Sequence, residues 1–215
     1  MGSDKATLAH SDSGKTWLER ALATLALAGA SQLLVAGGDP AWVPSHAEYV
    51  PDRRPGQGPL AGIEAAIERG VGAGRGPWWV VLACDLPLLR AETIHELLAA
   101  RRPGAVAVVP RSASGLEPLV ACYHERSLGP LVTFLEGGRR SARAFVSSLA
   151  GALSDLPDVV ALDLSCAEEL FNANTPDDLR ELPTGPDSQP PDSQPPDSQP
   201  PDSQPPDSQP PDSPA

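Results

Sequence analysis

Residues 78–89, WWVVLACDLPLL, decide the fold class. Seven apolar residues follow one another from Trp78 to Cys84, and the run ends at Asp85 and Pro87. A half-exposed strand would alternate apolar and polar residues, whereas a continuous apolar run is typical of a strand buried on both faces. The stretch therefore predicts a sheet that carries a layer of helices on each side, with Asp85 at the carboxyl end of one strand.

Outward from this stretch, strand patterns alternate with helical ones. The first predicted helix begins at Trp17, and further helices are predicted at 58–70, 91–102, 128–138, 141–149 and 174–182. Strands are predicted at 31–38, 78–84, 105–109, 117–123 and 158–164. This alternation indicates a three-layer α/β fold around a mostly parallel sheet. In such folds ligands bind beyond the carboxyl ends of the strands, so we look for site residues there.

The chain divides into a domain, 1–182, and a tail, 183–215. Residues 186–215 are five copies of PDSQP followed by PDSPA, with no aromatic residue and no aliphatic residue larger than alanine. Such a segment cannot bury enough apolar surface to offset the entropy lost on ordering. We therefore predict a disordered, Pro-rich acidic tail with a solubilising role.

Charge and cysteine usage exclude several classes of protein. The net charge is −12, and the six tail aspartates account for half of it, which leaves an acidic domain and argues against nucleic-acid binding. No apolar run has membrane-spanning length, and we expect neither a membrane span nor a signal peptide. Three widely spaced cysteines, an odd number without zinc-ligand spacing to the histidines, indicate a reducing, cytoplasmic location.

The N-terminal stretch GKT, 14–16, looks like the end of a phosphate-binding P-loop. A P-loop would have glycine where this chain has Ala9. Thr16 and Glu19 instead have the spacing of a capping box, in which each side chain binds the other residue's backbone N–H. We therefore predict the start of a helix here.

Two aspartates stand where a ligand would bind. Asp85 follows the buried strand directly and is either a Mg²⁺ ligand or a residue that caps a turn. Asp52 lies in PDRRPGQGPLAG, 51–62, where glycines allow the backbone to approach a flat ligand; otherwise Asp52 pairs with Arg53 or Arg54. By itself, Lys5 reads as a solvated lysine.

Two further polar clusters leave their alternatives open. Residues 172–179, NANTPDDL, resemble a helix start with Thr175 as the N-cap, although Asn172 and Asn174 are less needed for capping. Residues 138–145, GRRSARAF, either bind a phosphorylated substrate or form a solvated helix start. The arginines of that cluster are Arg139, Arg140 and Arg143.

Taken together, six stretches resemble the molybdenum cofactor guanylyltransferases in content, order and spacing. They are MGSDKATL (1–8), PDRRPGQGPLAGI (51–63), ACDLPLL (83–89), EPLVACY (117–123), GRRSARAF (138–145) and NANTPDDL (172–179). The resemblance implies a Rossmann-like nucleotidyltransferase. Such an enzyme transfers GMP from GTP to molybdopterin carrying molybdenum, releases pyrophosphate and forms the guanine dinucleotide cofactor.

The same resemblance assigns site residues. Lys5 matches a lysine that contacts the nucleotide phosphates, Asp52 matches an aspartate of the GTP site, and Asp85 matches the aspartate that binds Mg²⁺ and GTP. Lys5 and Asp85 are the expected catalytic residues, with Mg²⁺ as cofactor. Partners beyond GTP and molybdopterin would be molybdoenzymes or other proteins of cofactor biosynthesis.

The chain also departs from the family pattern. Gly37 and Gly38 stand where the family usually has an asparagine, and the family's first strand and most of its phosphate loop would precede Met1. We expect that strand and loop to be encoded in frame upstream. One alternative is a molybdopterin cytidylyltransferase or another nucleotidyltransferase, although the stretch GPLAGI favours the guanylyl branch. The other alternative is a non-catalytic, truncated relative.

Overall fold

A computed structural model describes residues 15–150 and 159–172. Its helices are α1 (Trp17–Leu27), α2 (Pro59–Gly72), α3 (Ala91–Ala99), α4 (Leu128–Glu136) and α5 (Ala142–Leu149). Its strands are β1 (Leu34–Ala36), β2 (Glu48–Val50), β3 (Trp78–Leu82), β4 (Ala107–Ser112), β5 (Gly115–Leu116), β6 (Val120–His124) and β7 (Val159–Asp163). Short 3₁₀ helices lie at Pro40–Trp42, Glu125–Ser127 and Ala167–Leu170.

The strands form two sheets. In the smaller sheet β1 and β2 are parallel. In the larger one β6 lies between β3 and β4 and is antiparallel to both, while β7 is parallel to β4 on its other side. Strands β3, β4 and β7 therefore run in one direction and β6 runs against them.

The larger sheet is covered on both faces, as the sequence predicts. Val109 and Tyr123 point into a core with helices α2, α4 and α5, whereas Val108 and Cys122 point into a second core with α3. Adjacent residues of one strand thus enter opposite cores, and this alternation accounts for apolar runs without a polar face. The three-layer α/β architecture is confirmed.

Most predicted elements are present, with differences at their ends. Thr16 and Glu19 form the predicted capping box at the start of α1. The prediction that α2 ends at Gly70 is wrong, because the helix continues to Gly72. Gly70 is buried against β3: a Cβ built there would lie 1.7 Å from Cη2 of Trp79, so the residue allows the helix and the strand to pack closely.

Strand direction is where the sequence misleads. The apolar run of β3 suggests a parallel neighbour, yet β3 pairs antiparallel with β6 from Trp78–His124 to Leu82–Val120. A run that is apolar throughout reports burial of both faces and carries no information on direction. The short strands β2 and β5 are not predicted, and the predicted helix at 174–182 and the tail lie outside the described residues.

Between the two sheets lies a cavity of about 760 Å³. It is lined by β1 on one side and β3 on the other, by Gly62, Ile63, Ala66 and Ile67 of α2, and by Leu25 and Ile94 from the opposite helical layer. Within the described residues, β1 and β3 each pair along one edge, so their other edges face this cavity. The strand expected before Met1 stays a prediction.

The helices of the described ranges are all too short or too polar to cross a bilayer.

Candidate active site

The loops that follow β1 and β2 meet at one end of the cavity. Gly37 and Gly38 follow β1, Asp52 follows β2, and all three line the cavity. The backbone N–H of Gly37 donates to the carbonyl of Val50 at 3.0 Å. A Cβ built on Gly37 would lie 4.0 Å from that of Asp52. The parallel pairing of β1 and β2 therefore places both loops at one edge of the sheet, where a ligand is expected.

Asp52 takes part in a local turn. Its Oδ1 accepts the backbone N–H of Arg54 at 2.8 Å, the pattern of an aspartate that stabilises a turn two residues on. One carboxylate oxygen is engaged in shaping the loop, and the half-buried side chain lines the cavity. The alternative that Asp52 forms an ion pair with Arg53 or Arg54 is wrong, because both side chains bind glutamates of α2.

The glycine-rich loop, residues 51–58, leads from Asp52 into α2. Gly56 and Gly58 have φ of 77° and 79°, a region that strains any residue with a Cβ. Gly58 is the N-cap of α2 and offers no side chain to the first N–H groups of the helix, while Pro59 follows as its first residue. The loop therefore presents bare backbone beside a positive helix end, which suits an anionic ligand.

Gly62 has a packing role that the sequence does not reveal. It lies inside α2, where a Cβ would approach that of Ala36 to 3.4 Å. Its missing side chain lets α2 pack on β1, although the residue also lines the cavity.

Two ion pairs are formed between arginines of the glycine-rich loop and glutamates of α2. Arg54 binds Glu64 through two hydrogen bonds, Nε to Oε2 at 2.8 Å and Nη2 to Oε1 at 3.1 Å. Arg53 binds both carboxylate oxygens of Glu68 at 2.6 Å. These contacts are not predicted from the sequence, although two adjacent arginines and two glutamates four residues apart on one helix are a signal for them.

Asp85 lies three residues beyond the end of β3. It does not line the cavity, but Leu82 and Ala83 just before it do. Its Oδ1 is buried and has no hydrogen-bond partner among the described residues. An aspartate that only capped the turn would accept a nearby N–H with that oxygen, so the turn-capping alternative is not supported for Oδ1.

The segment after Asp85 is fixed from both sides. Leu86 and Leu89 are buried in the core beneath it. The buried carboxylate of Glu169 accepts the backbone N–H of Arg90 at 3.0 Å, its Nε at 2.7 Å and the hydroxyl of Thr93. This network joins the start of α3 to the 3₁₀ helix at Ala167–Leu170 and so anchors the chain where the loop that carries Asp85 enters α3.

Of the other residues proposed from the sequence, some lie outside the described residues and others have structural contacts. Lys5 and the asparagine at 174 lie outside the described residues. Arg143 binds Glu117 at 3.2 Å and the carbonyl of Leu116 at 3.0 Å, and the guanidinium of Arg139 lies 4.0 Å from the ring centre of Phe134. Both arginines therefore have structural contacts.

The residues at these strand ends fit a magnesium ion. No group of three or more potential ligands from His, Cys, Asp and Glu exists in the part of the chain that the structure describes. Mg²⁺ rarely requires one, because it commonly takes one or two carboxylates and completes its shell with water and substrate phosphates. The buried, unpartnered Oδ1 of Asp85 is the oxygen that suits it.

Comparison with known proteins shows the family of the chain. Residues 1–153 match the model of the MobA-like NTP transferase domain. The chain belongs to this family. The match includes the glycine-rich loop, Asp52, β3 and Asp85.

Relatives in the family extend the similarity over most of the chain. A protein of Opitutus terrae named "Probable molybdenum cofactor guanylyltransferase" is 36% identical over 179 residues, 83% of this chain and 86% of its own. A protein of the same name from Chloroflexus aggregans is 32% identical over 84% of this chain and 86% of its own. Among solved structures, molybdopterin-guanine dinucleotide biosynthesis protein A from Archaeoglobus fulgidus is 25% identical, with a TM-score of 0.63 over 83% of this chain and 88% of its own.

As a MobA-like NTP transferase, the chain is a nucleotidyltransferase with a Rossmann-like fold. The strand-end loops described above are therefore the candidate nucleotide site.

Proposed function

We propose that the protein transfers GMP from GTP to the phosphate of molybdopterin carrying molybdenum. The α-phosphorus of GTP gains a bond to an oxygen of the acceptor phosphate and loses its bond to pyrophosphate. The observation that carries the proposal is the 36% identity to a protein named for guanylyl transfer across 83% of this chain. The bare glycine-rich loop and the unpartnered carboxyl oxygen of Asp85 support it.

In this proposal the chain's own groups bind and orient the triphosphate. Backbone N–H groups at the start of α2 and the ammonium of Lys5 attract phosphate oxygens, and Asp52 fixes the loop geometry and lines the site. Because the acceptor phosphate is itself the nucleophile, no covalent protein intermediate is needed. Catalysis then depends on alignment and on stabilising the negative charge that grows on the leaving pyrophosphate.

Asp85 is the residue that would hold Mg²⁺. The bound ion supplies positive charge at the phosphate oxygens. In this proposal the segment from Leu86 to Thr93 supports the Asp85 carboxylate. Leu86 and Leu89 of this segment are buried, and the backbone N–H of Arg90 donates to Glu169. A fixed carboxylate loses less entropy on binding an ion than a mobile one would.

We further propose that the reaction takes place in the cytoplasm. Cys122 and Cys166 form no disulfide, and Cys122 is fully buried in the core. Cysteines that are not joined in disulfides fit a reducing compartment.

The proposal is tested by following pyrophosphate release. We expect release only when GTP, Mg²⁺ and molybdopterin carrying molybdenum are all present, with equal amounts of dinucleotide cofactor and pyrophosphate formed. Omitting the acceptor is the control for GTP hydrolysis. Pyrophosphate release that does not depend on the acceptor, or no release from folded protein, would contradict the proposal.

A further inference from the structure

Adjacent arginines of the glycine-rich loop bind the same helix in different surroundings. The Arg53–Glu68 pair is solvated, with 65% and 43% of the two side chains exposed. The Arg54–Glu64 pair is largely covered, with 25% and 5% exposed. Both pairs join the same loop to the same helix and have the same charge, so they form a natural matched comparison.

We propose that the Arg54–Glu64 pair is the positioning element of the nucleotide site, which holds the glycine-rich loop on α2 in the conformation that receives the triphosphate. This inference rests on the proposed function, because it takes the loop to be part of the nucleotide site. Arg54 and Glu64 act through the loop, and neither touches the nucleotide.

The backbone of Arg54 links the two turns of the loop. Its N–H donates to Oδ1 of Asp52 at 2.8 Å, and its carbonyl accepts the N–H of Gln57 at 3.0 Å. Fixing Arg54 therefore fixes both Asp52 and the start of the Gly56–Gly58 segment. Glycines in left-handed conformations give the chain many alternatives, so such a loop needs an external contact to remain in one of them.

The side-chain geometry shows why Arg54 positions the loop and does not bind phosphate itself. Two donors of its planar guanidinium engage both oxygens of Glu64, and Glu136 of α4 lies 3.8 Å from Nη2. The hydrogen bond to Glu64 is the main reason that the pKa of Arg54 is raised. Its charge is thus balanced by carboxylates of the helices, and a buried carboxylate such as Glu64 is costly without that partner.

The test compares variants of the two pairs in the full chain. We measure the dissociation constant for Mg²⁺·GTP by calorimetry, and amide hydrogen exchange across residues 51–58 without nucleotide. Arg54→Ala should weaken GTP binding by about 5–20-fold, as expected when a binding loop loses its preorganised conformation. Exchange in the loop should become at least about tenfold faster. Arg53→Ala, which removes the same charge, should change either quantity by less than about twofold.

Glu64→Gln separates positioning from direct phosphate contact. It keeps the cation of Arg54 and nearly the shape of the partner, so the fold should be preserved. If Arg54 positions the loop, Glu64→Gln weakens GTP binding and speeds loop exchange. If Arg54 contacted the phosphates, freeing its charge would leave GTP binding unchanged or strengthen it.

The outcomes also separate this inference from the proposed function. Equal GTP affinity in the Arg53→Ala and Arg54→Ala variants, or loop exchange unchanged by Glu64→Gln, would overturn the positioning role while the transferase proposal stands. Failure of the unmodified, folded protein to bind Mg²⁺·GTP would overturn the proposed function and, with it, the inference drawn from it.

Discussion

Two glycines of α2 make the packing of this helix on β3 testable. Gly70 is buried, and a Cβ there would lie 1.7–2.5 Å from three ring carbons of Trp79. Gly72, two residues further along the same helix, has nothing within 4 Å of a built Cβ. Replacing each with alanine adds the same methyl group to the same helix, once into a packed contact and once into open space.

The expected effects have opposite signs. At Gly72 alanine should stabilise the protein by about 0.4–1 kcal/mol, because it restricts the unfolded chain and favours the helix. At Gly70 the same gain is opposed by about 1–3 kcal/mol for forcing an extra carbon into a packed site. Trp79 would have to move by more than an ångström, so we expect a net loss of about 1–2 kcal/mol.

Thermal unfolding followed by circular dichroism provides the measurement. For a domain of this size, about 1 kcal/mol corresponds to roughly 2–4 °C in Tm. We expect Gly70→Ala to melt about 2–8 °C lower than the unmodified protein and Gly72→Ala to melt at the same temperature or slightly higher. A Gly70→Ala variant as stable as Gly72→Ala would refute the close packing of α2 on β3.

Four further outcomes follow from the sequence and the site. Asp85→Asn should lower the transfer rate by at least about 100-fold with little change in Tm, because it removes the charge proposed to hold Mg²⁺; near-normal turnover at saturating Mg²⁺ would reduce Asp85 to a turn residue. Lys5→Ala should weaken GTP binding by about 1.5–3 kcal/mol, without a matching effect on molybdopterin, and unchanged GTP affinity would exclude it from the site. Removing residues 186–215 should alter neither Tm nor GMP transfer, because the repeat has no apolar side chain to dock; a Tm lower by several degrees would show that the tail packs on the domain. Burial raises the pKa of the Cys122 thiol to about 12, so the stability that the neutral thiol contributes is complete below its usual pKa of 9.0 and is lost as the pH rises towards 12. Cys122→Ala should therefore lose stability less steeply over that range, and a slope identical to that of the unmodified protein would contradict the raised pKa of Cys122.

The layer arrangement could be predicted because burial leaves a direct trace in sequence. Apolar runs such as 78–84 and helical spacing such as that of 58–70 indicate which faces of a strand or helix are buried. The Thr16–Glu19 capping box indicates where one helix begins. Strand direction could not be predicted, because β6 is as apolar as a parallel neighbour would be. The three-residue strand β2 is too short to show a period.

The candidate site was predictable only in part for a similar reason. Position after a predicted strand identifies Asp85, since the rule on strand ends concerns topology. Asp52 follows β2, which is not predicted, and only the glycines beside it and the family resemblance single it out. The role of Arg54 depends on its pairing with Glu64, for which the adjacent arginines and the spaced glutamates are a signal in the sequence. It also depends on how deeply the pair is covered, which does not follow from local pattern. The sequence suggests Asp52 as a partner of Arg53 or Arg54, whereas in the structure both arginines bind glutamates of α2.

Guanylyl transfer by this protein can be tested by a direct competition between GTP and CTP. The unmodified protein is given GTP and CTP at equal concentration with Mg²⁺ and molybdopterin carrying molybdenum, and the products are identified by mass spectrometry. We predict the guanine dinucleotide of molybdopterin as the main product, with one pyrophosphate released per molecule formed. A cytosine dinucleotide as the main product, or no dinucleotide from folded protein, would contradict it.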